Sequence, residues 1–301
     1  MNPVALYDVP APAKLNLFLH VVGRRADGYH LLESAFVLID WSDTLHFELR
    51  DDGQLCRHDL TEALPEDDLC LRAARALQAA SGCRLGADIS VAKHIPSGAG
   101  MGGGSSDAAT VLLALNRLWG LGWPRQRLLE LAQTLGADVP FFVYGQNALA
   151  QGTGEQLSPL ALPPQAYAVV KTQSSIATAS IFVSPLLKRD TASVILMGSL
   201  ESTALAGLAQ GFGRNDLQPP AESACPEVVH ALELLKARFG NSRMTGSGSA
   251  VFARVGTDVP PKATSPEGQA GTVFGDVPLP DGWAGRWCHS LPEHPLRGWA
   301  S

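Results

Sequence analysis

The 301-residue sequence predicts an α+β protein of two domains, and three observations carry that expectation. The length lies at the limit of what one hydrophobic core fills, about 250–300 residues. The first fifty residues alternate at period two, as strands do. From Ile89 onward the order is strand, glycine-rich loop, long amphipathic helix, and a stretch rich in Gly, Ser and Pro at 151–164 then suits a domain boundary. The expected division is 1–157 and 158–301.

Taken in order, Leu15, Leu17, Leu19 and Val21 alternate with Lys14, Asn16, Phe18 and His20 on the first strand, and Asp27-Gly28 signals a turn before Tyr29 and His30. Further strands are expected over 32–39 and 44–49. A helix is expected over about 65–80, where Leu69, Ala73, Ala76 and Leu77 share a face and Gly82 follows the end. Pro96 stops the strand that contains Ile89, Val91 and Ile95. After the glycine loop, Ala108, Val111, Leu112, Leu115 and Leu118 form one helical face, and a second helix opens at Pro124, taken as its first residue. Asp138 is expected at a corner leading into a strand through 141–144. The second half reads as a strand over 167–172, a helix from about 177 capped by Ser or Thr, a helix opening at Pro226, a second glycine loop at 245–249 and a strand over 250–255. The Pro- and Gly-rich tail from 256 carries no clear pattern.

The composition, 46% hydrophobic and 17% charged with mean hydropathy +0.06, is that of a soluble globular chain. A net charge of −6 without a basic run argues against a nucleic-acid partner. The N-terminus has neither the basic region nor the apolar run of a signal peptide, and the five cysteines are scattered without metal spacing. A cytoplasmic protein with reduced thiols and no membrane association is therefore expected.

Glycine is in excess, 30 of 301 against a typical share of about 7%. Five of these glycines fall within Gly98–Gly104, between a strand and a helix. Glycine lets successive backbone N–H groups converge on one point, and the helix N-terminus adds partial positive charge, so phosphate is the natural ligand and a flexible connector the plainer alternative. Gly98, Gly100 and Gly103 match a dinucleotide fingerprint, but no acidic residue follows about twenty residues later, and no lysine follows the loop as a Walker motif requires.

The run from Pro96 to Ala109 resembles the second motif of the GHMP small-molecule kinases. Within that superfamily, Pro12-Ala13-Lys14-Leu15-Asn16, Arg25-Ala26-Asp27-Gly28-Tyr29-His30, Gly136-Ala137-Asp138-Val139-Pro140 and Thr245-Gly246-Ser247-Gly248 resemble the branch acting on 4-diphosphocytidyl-2-C-methyl-D-erythritol. The resemblance implies a two-domain GHMP kinase fold with the active site in the interdomain cleft. It also implies ATP-dependent phosphorylation of that substrate's 2-hydroxyl in the non-mevalonate isoprenoid pathway. Another GHMP kinase, of homoserine or mevalonate type, is the alternative, and Tyr29-His30 argues against it. A nucleotide-binding protein without catalysis would lack Lys14 or Asp138, and both are present.

By the same resemblance Lys14 and Asp138 are the catalytic pair, although each taken alone could be an ordinary surface charge or turn residue. Asn16, Tyr29, His30, Phe36, Thr178 and Phe182 would hold the cytidine-diphosphate substrate, Phe36 and Phe182 being equally compatible with a core. ATP would lie on Pro96, Ser97, Gly98, Ala99, Gly100, Met101, Gly102, Gly103, Gly104, Ser105 and Ser106, flanked by Asp68, Lys93 and Asp107. The family commonly has Asn where Asp68 stands, which removes an amide donor. The 245–248 turn serves phosphate or only close packing. Mg²⁺ is expected with ATP, held by Ser105 or Ser106, water and the phosphates, and no dedicated metal-ligating carboxylates are assigned. The chain is expected to act as a monomer or homodimer.

Overall fold

The computed structural model describes residues 3–196, 199–200, 202–255 and 278–301. Two long strands, β1 (Ala5–Arg24) and β2 (His30–Arg50), form an antiparallel hairpin that runs the length of the sheet. Its turn uses the expected Asp27-Gly28: Gly28 has φ 93°, its N–H reaches Arg25 O at 3.0 Å, and Asp27 Oδ1 accepts from Tyr29 N at 3.2 Å. The two strands expected within 32–49 are thus one. β1 does not divide into a wet and a dry face, because residues 11–21 are all buried, Lys14 and Asn16 included. Register shifts at Pro12/Ala13 and between Asn16 and Leu19 bracket Lys14 and Asn16, and such irregularities re-aim side chains beside sites.

After β3 (Leu55–Asp59) comes α1 (Leu69–Ser81), which starts four residues later than the pattern suggested because Asp68 caps it through Leu71 N; it ends at Gly82 with φ 67°. β4 (Gly86–Ala92) leads through the glycine loop into α2 (Gly103–Leu118). α3 (Arg125–Gln133) has Pro124 as its N-cap and not as its first residue. The apolar run 141–144 is helical and not a strand: α4 (Val139–Tyr144) starts directly after Asp138, has Pro140 in its first turn and closes at Gly145 with φ 76°. Four consecutive apolar residues have no period, so the flanking Pro and Gly decide. These helices pack on the hairpin through Leu112, Leu115, Phe47 and Phe141.

The Gly- and Ser-rich stretch at 151–159 forms the turn and second strand of a hairpin, β5 (Ala148–Gln151) and β6 (Gln156–Pro159), bonded to β2. β7 (Ala166–Lys171) follows, then α5 (Thr178–Val183), entered through Ala177 without a side-chain cap. Next come β8 (Ile195–Leu196), β9 (Ser199–Leu200), α6 (Ser202–Leu208), α7 (Gln218–Ala224), α8 (Pro226–Phe239), β10 (Arg243–Met244) and β11 (Ala250–Val255). In the tail, 256–277 lie outside the described residues, whereas β12 (Ala284–Leu291) pairs with β7 and with β2. The sheet therefore runs β10-β11-β7-β12-β2-β4-β3 across both halves of the chain. α8 covers the second half with Val228, Ala231 and Leu235 against Val170 and Val251. No helix among the described residues is long and apolar enough to cross a membrane.

Candidate active site

A cavity of about 850 Å³ opens between the hairpin, the start of α4 and the segment around α5. Lys14 lies at its floor. Its ammonium donates to Asn16 Oδ1 at 2.6 Å, stands 3.5 Å from Asp138 Oδ2, and lies 5.0 Å from the centre of the Phe36 ring. Lys14 is 4% exposed and Asp138 34%, so the cation is held by the core while the carboxylate faces the cavity. An ammonium has three donors; one is on Asn16 and one faces Asp138, so a hydroxyl entering from the cavity could approach both charged groups.

Asn16 holds more than the lysine. Its Oδ1 also accepts from Gly246 N at 2.9 Å, its backbone N–H donates to Thr245 Oγ1 at 3.0 Å, and its amide donates to Ser34 Oγ at 2.9 Å. The second glycine turn is thus tied directly to the strand carrying Lys14. It also meets the first loop: a Cβ at Gly100 would come within 2.3 Å of Thr245 O, and one at Gly246 within 2.6 Å of Gly100 O. Asn215, which the sequence offered no signal to find, donates to Met244 O and Gly246 O at 2.8 Å each.

The first glycine loop is clamped from both sides, by Lys14 N to Met101 O at 3.0 Å and by Ser249 N and Ala250 N to Gly98 O and Ala99 O at 3.2 and 3.1 Å. A flexible connector would not be held this way. Gly98, Gly100 and Gly102 all have positive φ, and no side chain caps the 16-residue α2 that follows. Its first-turn N–H groups therefore have no intrahelical acceptor and suit an anion. A second cavity, about 480 Å³, lies on the far side of this loop. Gly98, Gly100, Gly102 and Ser105 line both cavities, so the loop is their shared wall.

The second cavity gathers the remaining expected ATP residues. Lys93 is paired with Asp43 and, at 2.6 Å, with Asp107. Burial would lower its pKa, but the two carboxylates win and raise it. Burial and the Asp43 charge raise Asp107 in spite of Lys93. Asp107 Oδ1 is buried with no hydrogen-bond partner among the described residues. Asp68 lines the same cavity, but its carboxylate is engaged by Leu71 N at 3.1 Å and Arg57 at 2.7 Å. Ser106 is fully buried and donates to Pro12 O at 2.7 Å, which leaves Ser105 as the hydroxyl facing the cavities.

At the outer end of the first cavity, His30 stacks on Phe182 with ring centres 5.0 Å apart, and Tyr29 is 65% exposed. Thr178 and Ser247 share a hydrogen bond of 2.7 Å at the rim. Burial, followed by the charges of Arg189 and Arg24, lowers the His30 pKa. Arg24, Asp27 and Arg189 were not expected here; the turn motif contained Asp27 without marking it, and nothing local marks Arg189.

A glycine loop at an uncapped helix N-terminus, with a lysine–aspartate pair in an adjoining cavity, is the arrangement expected of a kinase of small alcohols. The chain matches the family described as "GHMP kinases N terminal domain" over residues 68–146 and "GHMP kinases C terminal" over 197–267. It is 59% identical over 300 residues to a 4-diphosphocytidyl-2-C-methyl-D-erythritol kinase of Methylibium petroleiphilum, covering 100% of both chains, and 54% identical over 308 residues to the protein of that name in Verminephrobacter eiseniae, covering 99% of this chain and 98% of the other. A crystal structure of 4-(cytidine 5'-diphospho)-2C-methyl-D-erythritol kinase aligns with TM-score 0.67 at 38% identity, covering 81% of this chain and 88% of that one. Homoserine kinase from Cytophaga hutchinsonii shares the fold, with TM-score 0.64 at 18% identity over 84% and 85% of the two chains. The chain belongs to the 4-diphosphocytidyl-2-C-methyl-D-erythritol kinase family of GHMP kinases.

Proposed function

We propose that the two cavities hold the two substrates of one phosphoryl transfer: 4-diphosphocytidyl-2-C-methyl-D-erythritol in the first and ATP in the second, giving the 2-phosphate and ADP. The observation that carries this reading is the glycine loop standing as the common wall, with Lys14 and Asp138 directly beside it. The residues fit a nucleoside triphosphate: the uncapped first turn of α2 can donate to phosphate oxygens, and the orphaned Asp107 Oδ1 can accept from the nucleoside. No cluster of metal-ligating side chains occurs among the described residues, so Mg²⁺ would be held by the phosphates, water and Ser105. When bound, ATP supplies the γ-phosphoryl and Mg²⁺ offsets the phosphate charge.

The side chains do the rest. Asp138 accepts the proton of the 2-hydroxyl as the new O–P bond forms, and Lys14 stabilises negative charge on that oxygen from a position Asn16 and Phe36 hold fixed. Tyr29, His30 and Phe182 enclose the cytosine, with aromatic faces for the ring and an imidazole for its edge. Phe36 contributes as a wall behind Lys14, and Thr178 as a rim hydroxyl. The proposed domains, 1–157 and 158–301, meet within β6 and share a sheet through β12, in keeping with a site built from both. The protein is placed in the cytoplasm on the same reading.

The test is ADP release by purified protein with ATP and Mg²⁺, offered the cytidyl compound, mevalonate or homoserine. Turnover of the cytidyl compound alone is expected; turnover of either other alcohol in its place overturns the reading.

A further inference from the structure

Arg189 lies 159 positions from His30 in the chain, yet its guanidinium reaches the imidazole. Three carbonyls at the end of α5 hold the fork: Nη1 donates to Leu187 O at 3.0 Å, and Nη2 donates to Phe182 O at 2.9 Å and Ser184 O at 3.0 Å. With both terminal nitrogens committed, Nε is left with one target, and it donates to His30 Nε2 at 3.2 Å. A guanidinium carries only donors and does not deprotonate in proteins. His30 Nε2 must therefore offer its lone pair, which in a neutral ring puts the proton on Nδ1. This is the reverse of the tautomer that a free histidine side chain favours. The same segment orients the ring, because Phe182, whose carbonyl anchors Arg189, stacks on His30 at an interplanar angle of 26°. The neutral ring is the relevant form, since burial and the cations Arg189 and Arg24 act against its protonation.

We infer that Arg189 is a positioning residue for base recognition: its hydrogen bond to Nε2 holds His30 as the Nδ1–H tautomer and so presents a donor to the acceptor edge, O2 and N3, of the cytosine. The inference rests on the reading of His30 as the side chain that meets the base. It gives the α5 segment a chemical task beyond walling the cavity. It also accounts for arginine in particular, since lysine could not hold three carbonyls and a ring nitrogen in one plane.

The test combines ¹⁵N spectra of the histidine rings in the full-length protein with steady-state kinetics. His30 resonances are assigned by their loss in His30→Gln. Wild type is expected to show Nε2 as the lone-pair nitrogen and Nδ1 as the protonated one. In Arg189→Met, which keeps the length and removes the donors, the His30 signals shift toward the Nε2–H form. The KM for the cytidyl substrate then rises about tenfold, the loss of one well-placed hydrogen bond, while kcat and the KM for ATP hold within about twofold. A wild-type spectrum of the Nε2–H form overturns the inference even if the variant fails to fold. An unchanged tautomer or unchanged substrate KM in a folded Arg189→Met overturns it as well. If His30→Gln leaves the substrate KM unaltered, the reading of His30 itself has failed, which is a separate result.

Discussion

At the proposed phosphoryl end of the cleft, Lys14 and Asn16 are almost fully buried on β1, which pairs with β2, and both glycine turns are hydrogen-bonded to that stretch of strand. At the base end Tyr29 is largely exposed on a hairpin turn, and Phe182 and Arg189 belong to a six-residue helix and the loop after it. The difference follows the chemistry. Phosphoryl transfer requires charges placed within tenths of an ångström before substrate arrives, because reorganising them would cost rate. Holding a flat base requires surfaces that can open and close on it. The two ends should therefore fail differently: lesions at the first should remove turnover or fold, and lesions at the second should weaken binding.

The largest effect is expected for Asp138→Asn. The amide keeps the shape but cannot take the hydroxyl proton, so kcat should fall by about 10²- to 10⁴-fold, with the substrate KM nearly constant. Steady-state kinetics decide it, and a kcat near wild type would remove Asp138 as the base.

The far end of α4, the helix that starts at Asp138, is held by a buttress remote from the proposed chemistry. Arg125 donates to Val143 O at the end of α4 and to Arg297 O and Ala300 O in the last residues, and His294 N donates to Gly145 O at 2.9 Å. His294 is 1% exposed, its Nδ1 accepts from Leu296 N at 3.1 Å, and its Nε2 has no hydrogen-bond partner among the described residues. Burial and Arg125 push its pKa down to about 3. Above about pH 6.5 the ring is neutral in both folded and unfolded chains. Between there and pH 3 only the unfolded chain takes the proton, so stability is lost as pH falls, by up to about 5 kcal/mol from this group. His294→Asn, which keeps an acceptor for Leu296 N but does not titrate, should flatten Tm against pH over that interval. An equally steep profile in the variant would show that the acid sensitivity arises elsewhere.

The two ends also differed in how far the sequence revealed them. Lys14, Asp138 and the 98–104 loop are contiguous motifs, readable because one short segment supplies each function. The burial of Lys14 is not readable: period-two alternation puts it opposite an apolar face, and only β1 being covered on both faces shows it to be a core lysine. The run at 141–144 reads as a strand and folds as part of α4, because consecutive apolar residues carry no period. At the base end, Tyr29 and His30 sit in a legible turn, but Arg189 arrives from a distant loop with no local pattern, and β12 pairs with β2 across some 250 residues of chain. Long-range contacts of this kind leave no period to read.

The contact between the two glycine turns sharpens the comparison further, because it is backbone against backbone. Gly100 has φ 72°, and a Cβ there would stand 2.3 Å from Thr245 O, an atom that cannot swing away. Gly100→Ala should cost roughly 2–3 kcal/mol from the left-handed backbone and the clash together, read as a lower denaturation midpoint, and should lower kcat by displacing the loop. Full stability in this variant would mean that the two turns are free to separate.

The smallest effect is expected at the outermost residue. Tyr29 is 65% exposed, so its ring contributes little to the folded state, and Tyr29→Ala should leave Tm within about a degree of wild type. On the proposed reading its role begins when a base arrives to cover it. Base–aromatic stacking is worth about 1–3 kcal/mol by alanine substitution where the base is fully enclosed. A ring this exposed should realise the lower part of that range, a rise in substrate KM of about five- to tenfold with kcat unchanged. Leucine in place of tyrosine should recover part of the loss through apolar contact alone, and phenylalanine nearly all of it, because the contribution comes from the ring face and not from the hydroxyl. A fall in kcat on Tyr29→Ala, or no rescue by phenylalanine, would mean that the base end is coupled to the phosphoryl end and that the two cannot be varied independently.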